Sequence, residues 1–156
     1  PYKKFWDLDL NNKDLNIVKK AIEITNIEKL KNKFINELSG GQIQRAYLAM
    51  TIAQNPKILL LDEPTTFLDI NYQIKFLESL KQLIKNSGIS IITVLHDINL
   101  AARFCDRIAI FKNGKLLDIN TPQKVLTEFN FKKAFNIDSY ILNTPVGLQL
   151  FPVSKK

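Results

Sequence analysis

Two acids and a single imidazole stand where short apolar runs end. The run Ile58-Leu59-Leu60-Leu61 leads straight into Asp62-Glu63-Pro64, and a second run ending at Leu95 leads into His96. In an open parallel sheet, ligands bind beyond the carboxyl ends of the strands. There a first carboxylate can hold Mg2+, directly or through water, while its neighbour polarises an attacking water. Two acids merely opening a solvated loop are the plainer alternative, and the apolar run in front of them weighs against it. Leu38-Ser39-Gly40-Gly41-Gln42 is a third candidate. A serine and two glycines at a helix start offer free backbone N–H groups, a hydroxyl and the positive end of the helix dipole, a combination suited to an anion. An ordinary N-cap is its plainer alternative. His96 is the only histidine in the chain, and a lone histidine after a strand more often caps structure than performs chemistry.

These residues need elements to position them. Leu15, Val18, Ala21 and Ile22 recur at helical spacing behind Asp14, which predicts an amphipathic helix over residues 14–26. A second helix is expected after Ser39-Gly40-Gly41, with Ile43, Ala46, Tyr47 and Met50 on one side and Asn55-Pro56 as its stop. Beyond Pro56, short apolar runs alternate with longer amphipathic ones, the pattern of strand-helix-strand units in a parallel sheet. Buried strands are expected over 58–61 and 89–95, and helices over 72–86 and 98–105. Asn113-Gly114, between apolar stretches 107–111 and 115–119, signals a tight hairpin that gives the sheet an antiparallel edge. Thr121-Pro122 opens a short helix and 129–135 forms another. Residues 140–153, with Pro145-Val146-Gly147 in the middle, predict a terminal hairpin.

A chain of 156 residues, 46% of them hydrophobic, can bury one sizeable core. Its densest apolar stretches, 57–61 and 88–95, have strand length and cannot span a bilayer, so membrane association would go through a partner. The N-terminus lacks the features of a secretory signal. The single Cys105 excludes an internal disulfide and fits a reducing cytoplasm; with no charge partner near it in sequence, it reads as a small buried hydrophobe. The formal net charge is +7, but the basic residues are 19 lysines and three arginines spread along the chain. A nucleic-acid site gathers arginine into a stripe, so a solvated lysine-coated surface is expected and no nucleic-acid partner. Phe129, Phe131 and Phe135 read as core rather than a platform for stacking bases.

The contiguous stretch LSGGQIQRAYLAMTIAQNPKILLLDEP resembles the signature helix and Walker B strand of ABC-type ATPases, in register. Thr66-Phe67-Leu68-Asp69 resembles the family's D-loop, although Thr66-Phe67 stands where Ser-Ala is usual. Val94-Leu95-His96-Asp97 resembles its switch loop. The resemblance covers nearly the whole chain. It implies an α/β fold, part of a P-loop NTPase (ABC cassette). A helical signature subdomain portion over 1–56 would precede the C-terminal part of the RecA-like core over 57–156. It also implies ATP and Mg2+ as cofactors, with Asp62 at the metal, Glu63 and His96 as catalytic groups, and His96 reaching the terminal phosphate. Ser39, Gly40, Gly41 and Gln42 would act on the nucleotide of a second subunit paired head to tail, and Asp69 would belong to the D-loop.

A phosphate-binding loop needs Gly-x-x-x-x-Gly-Lys before Ser or Thr, and none of the five glycines fits. The family places that loop and a glutamine loop ahead of the signature, and Pro1-Tyr2-Lys3-Lys4 resembles the segment just after the glutamine loop. The expectation is a C-terminal fragment that neither binds ATP tightly nor hydrolyses it alone. VLHDINLAARFCDRIAIFKNGKLL and TPQKVLTEFNFKKAFNID resemble the ATPase subunits of importers for iron-siderophore, haem or cobalamin complexes. Such subunits dock on a membrane permease, which implies a cytoplasmic location at the inner face of the membrane. One rival is the head of a chromosome-maintenance or DNA-repair ATPase, but no sustained heptad pattern precedes Leu38. Another is a non-enzymatic interaction module, in which dimerisation or domain swapping would hide exposed edges.

Overall fold

A computed structural model describes residues 12–66 and 68–153. The first four residues and Phe67, both singled out above, lie outside the described residues. The chain divides into two compact units, Pro1–Thr93 and Val94–Lys156. This partition follows the density of contacts, whereas the boundary after residue 56 follows the switch from signature to core motifs. The overall class is mixed α/β.

In the first unit, α1 (Asn12–Thr25) carries Asp14 in its first turn, where a carboxylate complements the helix dipole. Ala21 is fully buried, and the Thr25 hydroxyl donates to the Ala21 carbonyl at 2.9 Å. Asn26, at φ 52°, closes the helix in the left-handed conformation that asparagine tolerates. Two single 3-10 turns, Glu28–Leu30 and Ile35–Glu37, lead to α2 (Gly40–Ala53), which packs on α1. The side of α2 shared by Ile43, Ala46, Tyr47 and Met50 is not its buried face. Ala49 and Ile52 are buried, whereas Tyr47 and Met50 are exposed. The helix is apolar around most of its circumference, so periodicity alone does not choose a face; its neighbours do.

Next come β1 (Ile58–Asp62), α3 (Ile70–Ser87) and β2 (Ser90–Val94), with β1 and β2 hydrogen-bonded neighbours in one sheet. The Asp69 carboxylate caps α3 by accepting from the Tyr72 N–H at 3.0 Å. Gly88, at φ 65°, ends it where a side chain would be strained. Phe76, Leu77 and Leu80 form the buried stripe of α3. Both strands were expected to be buried on both faces, and neither is. Leu59 and Leu61 are inside, but Ile58 and Leu60 on the opposite face are 59% and 69% exposed, as are Ile92 and Val94 of β2 at 62% and 53%. A short apolar run shows that a strand can be covered twice; only a second layer makes it so.

In the second unit, α4 (Ile98–Phe104) starts at Asp97, whose Oδ1 accepts from the Asn99 and Leu100 N–H groups at 2.8 and 3.0 Å. The hairpin of β3 (Ile108–Lys112) and β4 (Lys115–Asn120) turns at Asn113-Gly114, both at positive φ, the geometry that suits the twist of a two-residue loop. It hydrogen-bonds as a two-stranded antiparallel sheet of its own. A register shift between Ile110 and Phe111 leaves Leu117 as the extra residue of a bulge, and Leu117 packs on the core. That core is Ile110, Val125 and Leu126, with Val125 supplied by α5 (Pro122–Val125).

Helix α6 (Glu128–Phe135) follows, capped by the Thr127 hydroxyl, and leads into the terminal hairpin of β5 (Asp138–Thr144) and β6 (Gly147–Val153). Of the three phenylalanines expected in the core, only Phe131 is buried. Phe129 is 72% exposed, and Phe135 is half-exposed with its ring 4.8 Å from that of Phe131. An eight-residue helix buries one stripe, and Phe129 lies off it. Cys105 is half-buried rather than buried, because it is the residue that ends α4.

Candidate functional site

Asp62 closes β1 and is exposed, and Glu63 follows it in an unusual backbone state. Its φ is 47°, left-handed for a residue with a side chain and placed immediately before Pro64. A residue before proline is normally driven to an extended conformation, so this geometry is strained by about 1–3 kcal/mol. Short-range bonds hold it. The Thr66 N–H donates to the Glu63 carbonyl at 3.3 Å, closing a turn with Pro64 at its second position. The Thr66 hydroxyl donates to Glu63 Oε2, also at 3.3 Å. Behind this turn, Thr65 is buried and its carbonyl accepts from Gln73 Nε2 of α3 at 3.0 Å. The carboxylate thus leaves the strand on a braced turn. Thr66 had stood out only as a departure from Ser-Ala; a hydroxyl three residues after a candidate base was the available signal.

At the start of α2, Ser39 is the N-cap residue and Gln42 Oε1 accepts from the Ser39 N–H at 3.0 Å. The oxygen of Gln42 therefore serves its own helix, while its Nε2 is the group of that amide able to donate outward. Gly40 is exposed, its φ is not in the left-handed region, and an added Cβ there would meet nothing within 4 Å. Nothing in this chain requires glycine at that position. A bare backbone with open space above it suits the close approach of something from outside.

Gly41 of α2 and Asp62 of β1 line one cavity of about 210 Å³, together with Arg45, Tyr47, Leu60 and Leu68. Its walls are mainly apolar. Ser39, Gly40, Gly41, Gln42, Asp62, Glu63 and Asp69 all belong to the first unit, and His96 to the second, one residue before the cap of α4. Asp69, taken as a D-loop residue, here caps α3. Among the described residues no group of three or more His, Cys, Asp or Glu could enclose a metal ion. Asp62 nevertheless offers the hard oxygen donor that Mg2+ takes, and one carboxylate suffices when water and phosphate oxygens complete its shell. Among the described residues no helix is long and apolar enough to cross a membrane.

Comparison with known proteins identifies the family. The family profile described as ABC transporter matches residues 4–66. The chain is 46% identical to the petrobactin import ATP-binding protein FpuC of Bacillus anthracis, over 86% of this chain and 50% of that protein. It is 41% identical to the iron(3+)-hydroxamate import ATP-binding protein FhuC of Bacillus subtilis (strain 168), over 87% of this chain and 51% of that protein. Among solved structures it resembles cbiO1 of Clostridium perfringens, part of the ABC transporter complex cbiONQ. The TM-score is 0.61 at 32% identity, over 83% of this chain and 52% of that one. The chain thus spans about half the length of the curated relatives it matches. The motifs, the mixed α/β fold and these relatives agree: the chain belongs to the family of ABC transporter ATP-binding proteins.

Proposed function

We propose that this chain is the C-terminal part of the ATP-binding subunit of an importer for iron chelates. Its relatives are named for petrobactin and iron(3+)-hydroxamate import, which favours a ferric chelate over haem or cobalamin. In this reading Asp62 holds Mg2+, directly or through water, and Glu63 accepts a proton from the water that attacks the terminal phosphate of ATP. Mg2+ supplies charge neutralisation at the phosphates. His96 contacts the terminal phosphate through an imidazole N–H. Ser39, Gly40, Gly41 and Gln42 contact the nucleotide held by a second subunit, and Asp69 sets the loop between them. The phosphate-binding loop comes from the part of the cassette outside this chain, which would also cover the exposed apolar face of Ile58, Leu60, Ile92 and Val94. Such a subunit works at the cytoplasmic face of a membrane permease.

The observation that carries this reading is the strained turn at Glu63. Backbone strain of this kind persists where a side chain must be aimed, and here the residue aimed is the acid directly after a strand end. The experiment is Glu63→Gln in the complete cassette. Turnover should fall at least about 100-fold, the range expected for loss of a general base, while ATP binding measured by calorimetry persists. Unchanged turnover would falsify the assignment. In the isolated chain, calorimetry should detect no tight ATP binding, because none of its five glycines fits a phosphate-binding loop.

A further inference from the structure

Asn99 lies in the first turn of α4, three residues after His96, and its side chain reaches far along the sequence. The Leu150 N–H donates to Asn99 Oδ1 at 2.7 Å, and Asn99 Nδ2 donates to the Leu150 carbonyl at 3.3 Å. One amide side chain thereby engages both backbone groups of a single residue, as a neighbouring strand would. The register of the terminal hairpin explains why those groups are available. Thr144 pairs with Gly147 across the two-residue turn, and pairing runs back to Asp138 and Val153 without a shift. Hydrogen-bonded and non-hydrogen-bonded pairs alternate from that closing pair, so Ile141 and Leu150 form a non-hydrogen-bonded pair. The N–H and C=O of Leu150 therefore point away from β5, and Asn99 occupies that edge of β6. The Asn99 backbone N–H is also engaged, donating to the Asp97 cap at 2.8 Å.

Helix α4 has seven residues, too few to persist on helix propensity alone. Asp97 fixes where it begins, and where that first turn sits is decided by what it is tied to. Asn99 ties its first turn to β6, where Leu150 is buried, and His96 enters that turn one residue ahead of the cap. We propose that Asn99 is a positioning residue for His96: by clamping the first turn of α4 to the edge of β6, it makes the terminal hairpin the support on which the imidazole is presented to the phosphate. This rests on the reading of His96 given above. The clamp acts through the backbone, and Asn99 itself touches no nucleotide.

The test uses Asn99→Ala in the complete cassette, with His96→Ala and the double variant beside it. Turnover should fall about tenfold in kcat, with KM for ATP changed less than about twofold, since a misplaced group costs rate rather than binding. In the His96→Ala background the same substitution should add nothing. The imidazole NMR signal, identified by its loss in His96→Ala, should shift or broaden in Asn99→Ala. An unchanged kcat, a loss carried in KM, a full additional loss in the double variant or an unmoved imidazole signal each overturns the proposal. If His96→Ala leaves turnover intact, the reading of His96 falls instead, and the imidazole signal of Asn99→Ala still decides whether the clamp positions it. Should Asn99→Ala not fold, Asn99→Leu, which keeps the side-chain bulk and removes both bonds to Leu150, carries the same measurements, with the same outcomes overturning the proposal.

Discussion

The loops that carry Glu63 and His96 are held in opposite ways. Glu63 sits on a turn whose hydrogen bonds close over three residues, to Thr66, and whose nearest brace comes from Gln73. His96 precedes a short helix whose cap is local but whose anchor, Leu150, lies 51 residues beyond Asn99. The first loop stores strain in one residue's backbone. The second has an ordinary cap and depends on a distant strand for its place. A loop of the first kind is robust to changes elsewhere and sensitive at its own residues; a loop of the second kind is the reverse.

The largest expected effect tests the strain. Glu63→Gly in the complete cassette removes the carboxylate and relaxes the backbone, since glycine adopts positive φ freely. Turnover should fall at least about 100-fold while thermal unfolding shifts upward by the equivalent of about 1 kcal/mol. A lowered melting temperature would show that the turn is not strained. Next in size are the two caps. Asp97→Ala removes two hydrogen bonds from the seven-residue α4, and Asp69→Ala removes one from the eighteen-residue α3. Each should cost about 1 kcal/mol in denaturant unfolding, with Asp97 the costlier of the two. Equal or reversed costs would mean that α4 is held by its packing more than by its first turn. The smallest effect is expected from Thr66→Val, which deletes the hydroxyl donor to Glu63 at an exposed site. Stability should change by less than about 0.5 kcal/mol, and turnover should fall a few-fold, measured as kcat. A loss as large as that of Glu63→Gln would make Thr66 a partner in the chemistry rather than a brace.

Much of both loops was legible beforehand. Ser39 before two glycines, Thr121-Pro122, Asn113-Gly114 and Gly88 each mark an element end by chemistry that acts within a few residues, and the elements begin and end there within one or two positions. Asp69 and Asp97 had been noted only as parts of motifs, although an Asp one to three residues before an apolar-periodic segment is itself a cap signal. The buried faces were less legible. Tyr47 and Met50 share one apolar side of α2 and are exposed, Phe129 and Phe135 were read as core and are exposed, and the two apolar strands are covered on one face instead of two. An apolar side chain reports that it can be buried, not that a neighbour arrives to bury it.

The order and spacing of chemical groups, the positions of helix ends and the tight turns were therefore determined by the sequence itself, because each depends on interactions a few residues long. The choice of inward face on α2, the one-sided burial of β1 and β2, and the hold of Asn99 on Leu150 were decided only by the tertiary structure. Those depend on which distant segment comes to lie alongside, and no local pattern encodes the partner of a free strand edge.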